Sequence, residues 1–407
     1  MDVGTVINTM RDPAGVPATP VVFQILAVAT WVFHIAFVML TMGTGVLAVY
    51  AFFRRATGPF WEQLSLAMTK VAKVSVSLLI VLGVSPLLFT QVIYDPQWYT
   101  SNVLSAAWVI GFIFTLIVGY CLWFVFYEAN HDGAKQYVGF YAVMSLAIFA
   151  LDGLIMHVLA YQAILPAEWM SWYAPGGVVD TSGTKLHAIE WARYLFIMSL
   201  SAPAVGLFLL AYSEYLTVRR DKTREYLEFA RDLGRKIAAR GAIISALLAV
   251  WWQFDLPAST GLRSQPLGWL IPAGLVILAW LASQRHPRLH GYTMLSLGLV
   301  MVALLAIWRE VIRVAYLKPF GYNADTYTVH ADWPSTILFF STILGVGSLV
   351  GGYYLTLLYR AGRVEGVYTA EPRVDRLGSA AVAVLVVWIG VFFVYGVAIW
   401  LRNAFLA

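Results

Sequence analysis

Apolar residues in this chain run in long blocks, not in the two-residue alternation of a half-buried strand or the one-sided stripe of a surface helix. Ten blocks stand out: Val22–Phe53, Thr69–Val92, Val103–Tyr127, Val138–Ala163, Thr184–Leu216, Ala238–Trp252, Leu267–Ala282, Gly291–Tyr316, Ser335–Tyr359 and Leu377–Leu401. At ~1.5 Å per helical residue, a run of 18 or more spans a ~30 Å hydrocarbon layer. The sixth and seventh are the shortest, and Pro272 interrupts the seventh. Barrel strands of ~10 alternating residues do not fit such runs. The pattern predicts an all-α membrane protein of about ten transmembrane helices.

The polar intervals set an orientation. Arg54–Arg55, Lys135, the run from Arg219 to Arg240, Arg285 with Arg288, and Arg360 to Arg376 all fall on one side. Arg11, Arg263, Lys318 and Arg402, with Lys185 near the surface, fall on the other. The positive-inside rule therefore places both termini on the outer side. The interval from Glu214 to Lys236 mixes charges in a way that predicts a helical extension. Pro166–Lys185, rich in Trp, Pro and Gly, suits an interfacial cap. Three parts are expected: an outer segment 1–21, a transmembrane core 22–366 and an additional C-terminal helix 367–407.

Composition narrows the function. Of 407 residues, 60% are hydrophobic and 12% charged, against ~25% charged in soluble domains, so a water-soluble enzyme is excluded. The net charge of +5 sits in the loops just named and speaks of topology, not of nucleic acid. The single cysteine, Cys121, excludes a disulfide framework, a cysteine-rich metal site and covalent c-type haem attachment. The first twenty residues lack the basic-then-apolar order of a cleavable signal peptide.

Ionisable groups inside a membrane are costly and mark function by default. The spans carry His34, Asp152, His157, His187, Glu190, Arg193, Arg309, Glu310 and Arg313. His157 and Glu310 lie ~9 Å from the outer ends of their spans, His34 lies ~18 Å deep, and His187 and Glu190 open the fifth span. Imidazole is a good axial ligand for haem iron, and haem propionates favour arginine partners. The same residues also have plainer roles. A lone membrane histidine can join two helices by a hydrogen bond, and Arg309, Glu310 and Arg313 can form a structural ion cluster. Asp152 points away from His157 on its helix and suits a proton path, as does Glu190. His131, His286, His290 and His330 fall in loops or at span ends, where solvation is expected.

The order of these features resembles subunit I of the cytochrome bd oxygen-reductase superfamily. Phe23 to His34 resembles its first helix with a lone histidine. Lys185-Leu-His187-Ala resembles the start of its fifth, and Trp308-Arg-Glu310-Val-Ile-Arg313 its Glu-Val-x-Arg segment. Thr342-Ile-Leu-Gly-Val through Arg360 is similar to its last core helix. The resemblance runs from Phe23 to Gly366 and implies bd-type helix bundles. It also implies haem b, two or three copies with one site possibly haem d-like. His34 would ligate the active-site haem, His187 a low-spin haem and Glu310 a third. His157 has no family counterpart; its level, read as that of His187, points to a rearranged haem.

Departures from the family bear on activity. Ser105–Trp123 lacks the family's two carboxylates, Leu267–Ala282 lacks its methionine, and the interval from Trp252 to Pro266 is too short for its quinol loop. The expectation is a haem-binding cytochrome subunit of a respiratory complex in a prokaryotic cytoplasmic membrane. It would pair with a second membrane subunit and exchange electrons with an outer-side c-type cytochrome or redox subunit. The alternatives are a terminal oxygen reductase and a haem-free quinone-binding anchor. A secondary transporter is less consistent, because repeated halves are absent.

Overall fold

The computed structural model describes residues 2–131, 133–284 and 290–405; Arg285, His286 and Arg288 lie outside the described residues. Among the described residues the protein is all-α, with ten helices long and apolar enough to cross a membrane. Among the described residues the only β pairing is an isolated bridge between Val16 and Val329.

Helix α1 (Val3–Thr9) is capped by Asp2, whose carboxylate accepts from the Gly4 N–H at 2.8 Å. Two 35-residue helices follow, α2 (Pro20–Arg54) and α3 (Pro59–Ile93). Each begins on a proline, whose missing N–H costs nothing in a first turn. Then come α4 (Asp95–Leu104), α5 (Ala106–Ala129), α6 (Val138–Gln162) and the short α7 (Trp169–Tyr173). The fifth span is two pieces, α8 (Trp191–Ser199) and α9 (Ser201–Arg219), broken at Leu200. Pro203 accounts for the break, since it has no N–H to offer the Ser199 carbonyl. Helices α10 (Arg224–Asp255), α11 (Pro266–Ser283) and α12 (Gly291–Leu317) complete eight spans. The mixed-charge interval is indeed helical from Arg224 onward.

The fifth block departs from expectation: Val178 to Glu190 is not helical, and the helix begins at Trp191. His187 and Glu190 therefore lie on the approach to the span, not in it. The reason is in the hydrogen bonds. The carbonyls of Gly183, Thr184 and Lys185 accept from the Ala107 N–H, the Trp108 indole N–H and the Ser105 hydroxyl at 3.1, 2.7 and 2.7 Å. Carbonyls tied to the start of α5 are not available to a helix of their own.

The chain divides into two compact units, Met1–Glu214 with Glu228–Val329, and Tyr215–Leu227 with His330–Ala407. In the first, α2 and α3 pack along their length, and α2 also meets α6 and α12. Its largest core joins Trp31, Ile35, Phe196, Trp252, Trp308 and Ile312. A separate apolar cluster at one end gathers Ile7, Val16, Ile93, Trp169, Leu317 and Tyr322. Arg11 lies over the rings of Tyr322 and Tyr327, 4.3 and 4.5 Å from their centroids, and clamps the N-terminal segment there. Segments before α2 and after α3, α6 and α12 thus share one face, as alternating spans require. The second unit holds α13 (Trp333–Phe340), a π-helical stretch Ser341–Gly347, α14 (Ser348–Ala361) and α15 (Pro372–Phe405). Trp388 of α15 donates to Thr342 at 2.8 Å.

One crossing depends on the absence of a side chain. A Cβ on Gly206 of α9 would stand 2.3 Å from the Ala238 backbone nitrogen and 2.7 Å from the Gly234 carbonyl oxygen, both on α10. Nothing lies within 4 Å of the same position on Gly111. Gly206→Ala should lower the thermal midpoint in detergent by an amount matching ~1–3 kcal/mol of overpacking, while Gly111→Ala leaves it unchanged or raised. Equal midpoints would show that α9 and α10 do not cross this closely.

Candidate functional site

The site is built on α12, where Arg309, Glu310 and Arg313 fall within one turn. Glu310 uses both carboxylate oxygens: Oε1 accepts from the Tyr94 hydroxyl at 2.6 Å, and Oε2 from Nη1 of Arg313 at 2.8 Å. The Arg313 guanidinium also covers the Tyr94 ring, 4.6 Å from its centroid. Arg309 takes a different direction, over the indole of Trp31 on α2 at 5.0 Å. Trp31 is one turn before His34 on the same helix.

Helix α8 contributes the third guanidinium. Arg193, Arg309 and Arg313 line one cavity of about 20 Å³ with Tyr161, Trp252 and Leu256, enough for a single water. Arg193 and Arg313 are each 8% exposed. Beside them the hydroxyls of Tyr161 and Tyr316 are hydrogen-bonded at 3.0 Å. Glu190 does not neutralise this group freely, because its carboxylate caps α8. It accepts from the N–H groups of Ala192 and Arg193 at 3.2 and 2.8 Å. The three arginines thus meet two carboxylates, Glu310 and Glu190, each already engaged by hydrogen bonds.

The histidines share one feature. The His34 Nδ1–H donates to the Leu79 carbonyl at 2.9 Å, and the rings of His157 and His187 hydrogen-bond the backbone at Glu190 and Leu104. A ring fixed in this way offers its other nitrogen as a ligand. His157 is 7% exposed, with its Nε2 buried and without a partner among the described residues. His34 lies against α3 at Gly83, where a Cβ would sit 2.8 Å from its Cε1. A residue with any side chain would push the imidazole aside.

His187 stands elsewhere. Its ring stacks on Trp172 at 5.2 Å, and its backbone N–H donates to Gln162 at 2.8 Å. Gln162 is five residues, or ~7.5 Å of helix, beyond His157, so the two histidines do not share a level. Burial, then the charge of Lys185, hold the His187 imidazole below its ordinary range, which keeps it neutral. Asp152 accepts from the Thr115 hydroxyl at 2.5 Å through Oδ1, and its Oδ2 is buried without a partner among the described residues.

The structure thus brings Arg193, Arg309, Glu310 and Arg313 together, with His157 close by through Glu190. It leaves His187 and Asp152 in surroundings of their own, while His34 lies one turn from the Trp31 indole that Arg309 covers. Sequence reasoning missed Tyr94, Tyr161, Tyr316 and Asp255, the last hydrogen-bonded to Glu190. Tyr161 and Tyr316 lie four residues after His157 and three after Arg313, a same-face spacing that could have revealed them. No group of three His, Cys, Asp or Glu able to hold a bare metal ion occurs among the described residues. Haem needs only one or two axial side chains, because the porphyrin supplies the remaining donors. The orphaned His157 nitrogen, the glycine cradle at His34 and the arginine group fit that smaller requirement.

No family model matches the chain, and no curated protein matches it. Among solved structures, a chain of the bd oxidase from Geobacillus thermodenitrificans is similar, with a TM-score of 0.64 and 13% identity. The similarity covers 85% of this chain and 99% of that one. The likeness shows the fold: an all-α multi-pass bundle of the bd-oxidase kind.

Burial, then the hydrogen bond with Asp255, push the Glu190 carboxyl from 4.5 up to about 7. A carboxyl that holds its proton more tightly in the fold favours the folded state at low pH, an advantage lost as pH rises through the folded value. Thermal midpoints of the wild type should therefore fall relative to Glu190→Gln from about pH 5 to about pH 8. Parallel curves would contradict this placement of Glu190.

Proposed function

We propose that the chain is a haem-binding cytochrome subunit of a respiratory complex in a prokaryotic cytoplasmic membrane. The observation that carries this reading is the buried Nε2 of His157, without a partner among the described residues, beside a cavity lined by Arg193, Arg309 and Arg313, in a bundle with the fold of a bd oxidase. Haem b, two or three per chain, would supply reversible one-electron transfer when bound. In this reading His34, His157, His187 and Glu310 would hold the haem iron. Arg193, Arg309 and Arg313 would hold its propionates through charge-assisted hydrogen bonds. The cavity among the arginines has room for one water, so a porphyrin there requires the side chains of α6, α8 and α12 to part.

The remaining residues act on protons and orientation. The Glu190 and Leu79 carbonyls fix the imidazole tautomers. Asp152 and Glu190, both acids in a low-dielectric setting, are placed to take up and release protons. The apolar cap that joins the N-terminal segment to α4 and α12 faces the outer side in this account. There an outer-side c-type cytochrome or redox subunit would exchange electrons. A second membrane subunit would complete the complex.

A second reading, terminal oxygen reduction with one haem d-like site, is favoured by the activity in the name of the structural neighbour. The absence of carboxylates from Ser105–Trp123 places it second. A pyridine haemochrome assay on the purified chain tests the proposal. Two or three b-type haems per chain are expected, with His157→Ala losing one equivalent while His290→Ala loses none. Haem-free wild-type protein would overturn the proposal, and stoichiometric quinone in such protein would establish a quinone-binding anchor instead.

A further inference from the structure

A primary amide in a medium of low dielectric needs partners at both its oxygen and its nitrogen. Gln162, the last residue of α6, is fully buried, and its amide is directed at a segment distant in sequence. Oε1 accepts from the His187 backbone N–H at 2.8 Å. Nε2 donates to the Ser105 hydroxyl at 3.1 Å, and that hydroxyl donates in turn to the Lys185 carbonyl at 2.7 Å. Ser105 has one proton to give, so this chain of bonds fixes which amide atom is the oxygen. Gln162 therefore grips the non-helical segment before α8 at two points, at His187 directly and at Lys185 through Ser105.

The surroundings keep that grip in place. The Gln162 carbonyl accepts from the Trp169 indole N–H at 2.9 Å. Gly183, at φ +59°, brings the segment against the start of α5, where a Cβ would stand 2.7 Å from the Ala106 nitrogen. The imidazole of His187 has an anchor of its own. It hydrogen-bonds the backbone at Leu104, the last residue of α4, where helix-end carbonyls lack partners within the helix. One face of the ring lies on Trp172, with centroids 5.2 Å apart and planes 14° from parallel. Leu104 and Ser105 are consecutive, so the ring and the backbone of His187 are tied to the same corner of the chain. With both ends held, rotation about χ1 and χ2 is closed off.

We propose that Gln162 is a positioning residue, whose amide fixes the backbone at His187 so that the imidazole presents one nitrogen to haem iron at a set place and angle. The proposal rests on the haem reading of His187. A ligand carried on a loop is less precisely placed than one on a helix. His187 has no helical hydrogen bonds around it, and the Gln162 amide supplies the constraint that those bonds give His34 and His157. Three residues further on, Glu190 is held separately by its cap on α8, so the role belongs to His187 and not to His157.

Gln162→Met keeps the length of the side chain and removes its amide, whereas Gln162→Glu keeps an oxygen for the His187 N–H. Hydrogen–deuterium exchange across residues 183–190 and the low-spin haem spectrum are read for both full-chain variants, beside His187→Ala. In Gln162→Met the His187 amide should exchange about fivefold faster, the factor that one hydrogen bond supplies. The low-spin band that His187→Ala removes should shift in that variant, while the band that depends on His157 stays in place. Gln162→Glu should keep both readouts near the wild type. If Gln162→Met does not accumulate in membranes, Ser105→Ala cuts the link to Lys185 and should give the same faster exchange and shifted band. Exchange at the wild-type rate would overturn the proposal, and so would faster exchange with an unchanged band, which leaves Gln162 a packing role alone. Full haem content in His187→Ala would instead overturn the haem reading of His187, and this role for Gln162 with it.

Discussion

The cost of keeping guanidinium groups in a medium of low dielectric shapes the first unit more than any other single constraint. An unpaired charge at membrane depth costs several kcal/mol, and this unit buries three arginines around one small cavity. Each solves the problem with a different element. Arg313 pairs with Glu310, Arg309 lies on the indole of Trp31, and Arg193 sits in the first turn of α8 behind the Glu190 cap. Helices α2 and α12 are thus joined by a cation–π contact as well as by apolar packing. The tie extends outward through Tyr94, which donates to Glu310 and stacks on Tyr322 at 5.9 Å. Tyr322 in turn belongs to the cap that Arg11 clamps. The charged centre and the cap are one connected structure.

The same economy governs the histidines. His34, His157 and His187 each satisfy one ring nitrogen on a backbone group, and for His157 the other is buried without a partner among the described residues. A buried polar atom left alone is destabilising by ~1–3 kcal/mol. The proposed haem would relieve that cost. Together with the arginine group, it is what supports the proposal of a group that brings both an electrophilic centre and anionic edges.

Much of this was legible in the sequence, because membrane spans declare themselves by long apolar runs. All ten blocks correspond to helices able to span a membrane, and the helical extension after Arg224 was also readable. The fifth block misled for a physical reason. Thr184 to Glu190 is apolar enough to pass as a helix start, but its carbonyls are committed to Ser105, Ala107 and Trp108, distant partners that no local pattern reveals. The arginines and Glu310 could be named because charge in a span is conspicuous. Tyr94, Tyr161 and Tyr316 could not, since tyrosines abound at membrane interfaces and only the fold shows which ones meet a buried carboxylate or each other. His187 and His157 shared a level only under the assumption of a continuous helix.

The most direct test of the account is an electron cryo-microscopy map of the complex purified from native membranes. The account requires planar porphyrin density within bonding distance of His157 Nε2, with its carboxylates directed at the guanidiniums of Arg193, Arg309 or Arg313. A map in which these side chains surround only water, with His157 bonded to protein alone, would contradict it.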